Sequence, residues 1–289
     1  MTKEIQKGKR VAKHITLNIS EYKLDLSTPK VMGIINLTAD SFYDGGKIKS
    51  DKDLLRKTER MIEEGVDILD VGAYSSRPGA TDIAADQESK NATSGIDLIL
   101  KNFPKQAISL DTFRASVAEK GLNHGASIIN DISGGALDPA MFPVIATHKV
   151  PYIMMHMRGN PQTMVSLTDY NELLSDIIAY FKEKTKALSA LGAKDIIIDP
   201  GFGFAKNREQ NFELLNRLEE LKTLGLPMLC GVSRKSMIFK SLGFGPDQAL
   251  NGTTALNMAC LMKGASILRV HDVKEAKETI HLYKEMNKR

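Results

Sequence analysis

Residues 31–46 read VMGIINLTADSFYDGG, and this stretch decides how the rest of the chain is interpreted. It opens with an apolar run from Val31 to Leu37 that is rich in β-branched residues, and polar residues and a Gly-Gly pair follow. A short apolar run with such an ending is typical of a strand buried on both faces and followed by a loop. Asn36 lies at the downstream end of this strand, where a buried amide needs a partner. The stretch therefore predicts a strand that brings Asn36 to a ligand or to a polar network.

The same pattern of a strand followed by a helix occurs eight times along the chain. Seven further strands are predicted to begin near Val66, Ala107, Ser127, Val150, Lys194, Pro227 and Ala265. Helical patterns cover residues 52–64, 86–102, 113–123, 138–148, 169–190, 208–223, 246–262 and 273–287. Apolar strands that alternate with helices indicate an all-parallel sheet covered by helices, and eight units is the number that closes a (β/α)8 TIM barrel.

The organisation of the chain follows from this α/β pattern. No linker or low-complexity tract is visible, so we predict a single domain over residues 1–289, with the barrel over about 30–287. Residues 1–28 are predicted to be an N-terminal extension, whose loosely alternating part forms a β-hairpin that can plug the bottom of the barrel. A doubly wound open sheet is the main alternative fold, but it would require a GxGxxG turn or a reversal of strand order, and neither is evident.

The composition limits the classes of function. Hydrophobic residues make up 42% and charged residues 26% of the chain, as in soluble globular proteins. The net charge of +4 is small and the basic residues alternate with acidic ones, which predicts no nucleic-acid binding. Cys230 and Cys260 lie in apolar surroundings and predict free thiols in a reducing compartment. No signal peptide and no run of ~18 apolar residues is evident, so we expect a cytoplasmic protein that does not associate with a membrane.

Polar side chains stand at the downstream end of every predicted strand. They are Asn36; Ser75, Ser76 and Arg77; Asp111; Asn130 and Asp131; His156 and Arg158; Asp199; Ser233, Arg234, Lys235 and Ser236; and Arg269 and His271. Unpaired polar groups in apolar surroundings cost roughly 1–3 kcal/mol each, and barrel enzymes place their active sites at this end of the strands. We therefore predict one ligand site at the open end of the barrel where the strands end, which we call its mouth.

The predicted mouth divides into two chemical halves. One half offers acceptors, an amide and an ammonium from Asp111, Asn130, Asp199 and Lys235. It suits a planar heterocycle, because a carboxylate can accept two parallel N–H bonds from such an edge. The other half consists of Asn36, Arg77, Arg269 and His271. This half suits phosphates, which are commonly bound near the last two strands of this fold.

Three residues in this region also have simpler interpretations. Asp70, inside the second strand, is interpreted as a structural carboxylate bonded to a neighbour. His156 is interpreted as a histidine of the barrel wall whose ring is hydrogen-bonded within the protein. Asp199 precedes a proline and could instead cap a turn.

Eight segments resemble, in order, the motifs of the dihydropteroate synthase family. They are VMGIINLTADSFYDGG, DVGAYSSRPGA, SLDTF, GASIINDISGG, MMHMRG, IIDPGFGFAK, GVSRKS and RVHDV. The resemblance covers about residues 30–275. It implies a transferase of folate biosynthesis that joins 6-hydroxymethyl-7,8-dihydropterin pyrophosphate to p-aminobenzoate and releases pyrophosphate. It also implies a magnesium-dependent cytoplasmic homodimer that is a sulfonamide target.

The resemblance implies a role for individual residues. The pterin set is Asp111, Asn130, Asp199, Lys235 and Arg269. The p-aminobenzoate set is Ser76, Arg77, Pro78, Phe204, Lys235 and Ser236. The pyrophosphate set is Asn36, Arg77, Arg269 and His271, with Asn36 as the protein ligand of Mg2+. The catalytic set is Asp40, Arg77, Asp111, Lys235, Arg269 and His271, with Asp40 on a first loop that closes over the site. The chain departs from the family at Ala39, Tyr74 and Ser76.

Two other functions are considered beside this one. A methyltetrahydrofolate-dependent methyltransferase would use similar Asn and Asp side chains, but it has no pyrophosphate for Arg77, Arg269 and His271 to bind. It also needs a corrinoid partner. A non-catalytic pterin-binding homologue would keep the fold without the chemistry. For the synthase, electron release from the pterin ring supports a cationic methylene, so we expect an SN1-like displacement assisted by magnesium.

Overall fold

The structure is a computed structural model that describes residues 16–19, 22–37, 50–75 and 82–288. A two-stranded antiparallel hairpin, β1 (Thr16–Ile19) and β2 (Tyr22–Asp25), precedes the main sheet. The strands of that sheet are β3 (Lys30–Asn36), β4 (Ile68–Gly72), β5 (Ala107–Asp111), β6 (Ile128–Asp131), β7 (Tyr152–Met155), β8 (Ile196–Asp199), β9 (Leu229–Cys230) and β10 (Ile267–Val270). Each begins within two residues of its predicted position.

The main sheet is a ring of parallel strands. Its hydrogen-bonded order is β8-β7-β6-β5-β4-β3-β10-β9. A parallel bridge between Ile198 and Met228 joins the two ends of that order, where the Ile198 amide also donates to the carbonyl of Pro227 at 3.0 Å. This closure confirms the predicted (β/α)8 TIM barrel, and the antiparallel pairing of β1 with β2 confirms the predicted N-terminal β-hairpin.

Helices cover the outside of the ring. They are α1 (Asp51–Glu63), α2 (Ala85–Asn102), α3 (Ala115–Asn123), α4 (Met141–His148), α5 (Leu173–Ala190), α6 (Arg208–Asn216), α7 (Ser236–Leu242), α8 (Leu250–Met262) and α9 (Val273–Asn287). None of the helices in the described ranges is long and apolar enough to cross a membrane.

Three helix predictions are wrong in detail. The predicted helix over 169–190 is α5, which begins only at Leu173. The predicted helix over 208–223 ends at Asn216 and continues as a 3-10 helix, Leu218–Leu224. Leucines spaced by three fit the three residues per turn of that helix, and Leu218 and Leu221 are buried there. The predicted helix over 246–262 is α8, which starts later, and the short α7 before it was not predicted. Helix α7 ends at Leu242, and the following Gly243 has a left-handed φ of +76° that stops the helix.

The inside of the barrel is built in layers along the strands. The lowest layer is apolar and packs against Leu17, Ile19, Leu24 and Leu26 of the hairpin region. Its strand members are Met32, Ile68, Ala107, Ile128, Ile153, Ile197, Leu229 and Ile267. The predicted plug at the bottom is thus confirmed. Because alternate residues of a strand face the same side, residues two positions further along also point inward. They include Asp70, Ser109, Asn130, Asp199 and Arg269, which form a polar layer above an apolar one.

Candidate active site

A cleft of about 390 Å³ opens at the carboxyl ends of the strands. The predicted site residues that line it are Asn36, Asp111, Phe204, Lys235, Ser236, Arg269 and His271. Asn130 and Asp199 lie beneath the cleft, with only 4% and 6% of their surfaces exposed. Asp40, Ser76, Arg77 and Pro78 lie outside the described residues. The structure therefore brings the described members of both predicted halves to one mouth.

Arg269 lies between two carboxylates at the floor of this cleft. Its Nε donates to Oδ2 of Asp70 and its Nη2 donates to Oδ2 of Asp111, both at 2.6 Å. The amide nitrogen of Asn130 donates to the same oxygen of Asp70 at 3.0 Å. Three of the predicted pterin residues thus belong to one hydrogen-bonded network. The interpretation of Asp70 as a structural carboxylate bonded to a neighbour is confirmed.

The charges of this network shift one another's pKa values. Burial raises the pKa of Asp111 to about 7, and the neighbouring Arg269 guanidinium opposes this rise. Burial alone would lower the pKa of Arg269, but the charges of Asp70 and Asp111 outweigh it, so that the pKa of Arg269 is raised. Arg269 is therefore a permanent cation, whereas Asp111 titrates near neutral pH.

Lys235 and Asp199 are two buried charged groups near the cleft that act on each other's pKa electrostatically. Burial raises the pKa of Asp199 and the charge of Lys235 opposes that rise. Burial likewise lowers the pKa of Lys235 to about 8 against the attraction of Asp199. The Lys235 ammonium donates to the carbonyl of Phe202 and lies 4.6 Å from the ring centre of Phe204. Oδ1 of Asp199 accepts from the amide of Gly201 at 2.8 Å, so Asp199 also has the turn-capping contact of the alternative interpretation.

The loop after β8 is held by a buried lysine that sequence reasoning missed. Lys206, only 7% exposed, donates to the carbonyls of Gly201 and Phe204, each at 3.1 Å. Its ammonium also lies 3.0 Å from Nδ1 of His156. Burial lowers the pKa of Lys206 to about 7 and that of His156 to about 2. His156 is thus a satisfied wall histidine as predicted, and Lys206 sets the path of the loop that carries Phe204.

The turn after β9 positions the other half of the site. Arg234 has a φ of +52°, in the left-handed region, and its guanidinium donates to both carboxylate oxygens of Asp272 at 2.9 and 2.8 Å. The preceding Ser233 places its Oγ 2.9 Å from Nδ1 of His271 and accepts from the His271 amide at 3.2 Å. Ser233 and Arg234 were predicted among the polar strand-end residues, but neither received an individual role. The signal was the charge match between SRKS and RVHD, which becomes a contact only because β9 and β10 are neighbours.

Tyr74, one of the departures from the family pattern, lines the opposite wall. Its ring meets that of Phe113 edge-on at 5.0 Å, and the Arg114 guanidinium lies 5.1 Å from its centre. The amide of Gln162 donates to its hydroxyl at 3.4 Å. Tyr74 therefore joins the loops after β4, β5 and β7 on one side of the cleft.

A closed barrel with a cleft at the carboxyl ends of its strands is the scaffold of an enzyme active site, and the buried acceptors and the Arg269 cation at this cleft are groups that suit a polar heterocycle with an anionic substituent. The family described as pterin binding enzymes matches residues 32–271. The dihydropteroate synthase of Synechocystis sp. is 44% identical over 246 residues, which are 84% of this chain and 85% of that protein.

Solved structures agree with this relationship. The dihydropteroate synthase of Yersinia pestis in a sulfonamide drug complex superposes with a TM-score of 0.90 at 36% identity, over 94% of this chain and 99% of the other. The Xanthomonas albilineans enzyme with 4-aminobenzoic acid gives a TM-score of 0.87 at 32% identity, over 95% and 98% of the two chains. The chain belongs to the pterin binding enzyme family, in the group of the dihydropteroate synthases, which are transferases of folate biosynthesis. This relationship decides against the methyltransferase alternative.

Proposed function

We propose that this chain joins 6-hydroxymethyl-7,8-dihydropterin pyrophosphate to p-aminobenzoate at the described cleft, giving 7,8-dihydropteroate and pyrophosphate. The observation that carries the proposal is the network of Arg269 with Asp111 and, through Asp70, with Asn130. Buried acceptors and one cation under an open cleft suit a pterin ring, whose amino-pyrimidinone edge alternates donors and acceptors. A carboxylate can accept two parallel N–H bonds from that edge.

The pyrophosphate of the substrate is proposed to lie on the cationic side of the cleft. Arg269, His271 and Asn36 line the cleft there. The described residues contain no group of three or more His, Cys, Asp or Glu side chains that could hold a metal. Mg2+ keeps several waters and is held largely through substrate phosphates, so a site here would draw one oxygen ligand from the amide of Asn36, which lines the cleft. When bound, Mg2+ would neutralise charge on the departing pyrophosphate.

The chemical step separates two opposite charges. The C–O bond between the methylene and the pyrophosphate breaks, and positive charge develops on the methylene and the ring. Asp111 and Asp199 stabilise that positive charge, while Arg269 and His271 stabilise the leaving group. The amine of p-aminobenzoate then forms the C–N bond with its lone pair and passes one proton to the released pyrophosphate or to solvent. Fixed charges in a partly dry site are usually the largest catalytic contribution. The arylamine is already nucleophilic as the neutral amine, so no strong base is needed.

The p-aminobenzoate is proposed to bind beside Phe204, Lys235 and Ser236, which line the cleft. The bound 4-aminobenzoic acid of the X. albilineans enzyme supports this choice of substrate. The roles of Asp40, Ser76, Arg77 and Pro78 stay predictions. The homodimer and the cytoplasmic location are likewise proposed on the family resemblance.

The decisive experiment measures pyrophosphate release from the pterin substrate with and without p-aminobenzoate. We expect release that depends on p-aminobenzoate, with dihydropteroate identified by mass. Arg269→Lys keeps a charge between Asp70 and Asp111 but not the planar fork, and should lower turnover by orders of magnitude. Arg208→Lys, on an exposed ion pair with Glu209, is the matched control and should be neutral. Pterin binding without any product would instead indicate a non-catalytic homologue.

A further inference from the structure

Asp70 is a buried carboxylate that the proposed reaction does not use as a ligand. It lies on β4, is 0% exposed, and stands in register between Ile34 of β3 and Ser109 of β5. The described residues that line the cleft do not include it. Because a charge at this depth is costly unless it is paired, the contacts of Asp70 indicate its role.

The described side-chain contacts of Asp70 converge on one oxygen. Oδ2 accepts from the amide of Asn130 at 3.0 Å and from Nε of Arg269 at 2.6 Å. Oδ1 is buried and has no hydrogen-bond partner among the described residues. Asp70 therefore binds two of the residues assigned to the pterin and touches the cleft only through them.

The first consequence concerns the amide of Asn130. The oxygen and the nitrogen of an amide have nearly the same shape, so packing alone does not decide which way the group faces. A carboxylate can only accept, so Asp70 forces the Asn130 nitrogen toward itself and the oxygen away. A neutral partner able to both donate and accept would let the amide turn over and exchange donor for acceptor.

The second consequence concerns the guanidinium of Arg269. Nε is bound to Asp70 and Nη2 to Asp111, so two positions of a rigid planar group are held from two strands. These contacts fix the plane in which the remaining N–H groups lie. Arg269 retains 22% of its side-chain surface exposed and lines the cleft.

We propose that Asp70 is a positioning residue for pterin binding: its buried carboxylate sets the orientation of the Asn130 amide and the plane of the Arg269 guanidinium. The inference rests on the proposed function, since it takes Asn130 and Arg269 as pterin ligands. It assigns Asp70 no contact with either substrate.

The test compares Asp70→Asn with Ser109→Ala. Asp70→Asn keeps the shape but can donate as well as accept. We expect calorimetry with an unreactive pterin to show affinity weakened by about tenfold or more, while the KM for p-aminobenzoate stays within about twofold. Ser109 lies on the next strand in register with Asp70, is fully buried, and has no side-chain partner among the described residues. Ser109→Ala should leave the pterin affinity unchanged.

A double-mutant cycle with Asn130→Ala separates positioning from a general structural role. If Asp70 acts through Asn130 and Arg269, the double variant loses clearly less pterin affinity than the product of the two single losses. Losses that multiply, or Asp70→Asn with wild-type affinity, would overturn the inference. Where Asp70→Asn yields no folded protein, Asp70→Glu keeps the charge but displaces it by a methylene, and the same selective loss is expected. A lowered melting temperature without selective loss of pterin contradicts the proposal.

The outcomes also separate this inference from the proposed function. If the wild-type protein does not bind pterin, that result contradicts the proposed function itself. If the wild type binds but Asn130→Ala does not weaken binding, the pterin assignment is wrong. If Asn130→Ala weakens binding and Asp70→Asn does not, only the role of Asp70 fails.

Discussion

At the scale of the residue, buried charges govern the site. Arg269 neutralises only part of the negative charge of Asp70 and Asp111, and burial favours the protonated form of Asp111. In the folded state the pKa of Asp111 is about 7, above its ordinary value of 3.8. The protonated carboxyl thus contributes stability that is fully present below about 3.8 and lost as the pH rises through about 7.

Pterin binding should have the opposite pH dependence. The proposed contact of Asp111 requires the carboxylate, so we expect pterin affinity to rise as the pH increases from 6 through about 7 and to level off only once Asp111 is fully ionised, toward pH 8. Calorimetric titration of an unreactive pterin across this range measures it. Asp111→Asn should bind weakly at every pH and show a flat profile. A wild-type affinity that does not change with pH would contradict the assignment of Asp111.

At the scale of the element, the upper ends of the strands form the binding site, while their lower ends and the hairpin stabilise the fold. The polar layer with Asp70 and Arg269 lies above an apolar layer that the hairpin β1–β2 seals from below. The hairpin is held laterally by Asn18, whose side-chain amide donates to Asp195 at 2.8 Å. The bottom of the barrel should therefore contribute to folding and not to substrate binding.

Ile19→Ala tests this division. Ile19 is fully buried, so its truncation should lower the free energy of unfolding by about 2–5 kcal/mol. Urea unfolding of the variant measures the loss, while KM and kcat at 25 °C should stay close to wild type. Lys23→Ala, at an exposed position of the same hairpin, is the control and should change stability by less than about 0.5 kcal/mol. A kinetic defect in Ile19→Ala without loss of stability would mean that the plug shapes the cleft.

At the scale of the whole molecule, closing the ring places β10 beside β3, the first strand of the barrel, and β9 between β10 and β8. The contact of Arg269 with Asp70 spans 199 residues of sequence and that with Asp111 spans 158. A site assembled in this way depends on the closed barrel, whereas the barrel has a complete core of its own below it. Among the described residues no metal-binding cluster holds the fold together.

Removal of magnesium should therefore abolish turnover and leave the fold intact. We expect a chelator to stop pyrophosphate release and added Mg2+ to restore it, with the melting temperature of the substrate-free protein unchanged within about 1 °C. Asn36→Ala should raise the Mg2+ concentration needed for half-maximal turnover. Turnover that survives complete chelation would remove the metal from the proposal.

The amino-acid sequence alone determined the eight βα units, the parallel barrel and the polar strand ends, because burial imposes a local periodicity that can be read along the chain. Asn36, Asp111 and Arg269 were found in this way, since each interrupts or ends an apolar run. Local patterns do not reveal a helix as short as α7, because its seven residues make too few turns to show a helical period.

Only the tertiary structure decided which polar group meets which. The sequence predicted Asp70 as a structural carboxylate of the barrel interior, but only the closed ring showed that its partners are Asn130 and Arg269. Nothing in the sequence indicated a role for Lys206, which the structure shows donating to two carbonyls of the loop after β8. The physical reason is that hydrophobic periodicity is a property of one segment, whereas a hydrogen-bond partner depends on the order, register and closure of strands that are distant in sequence.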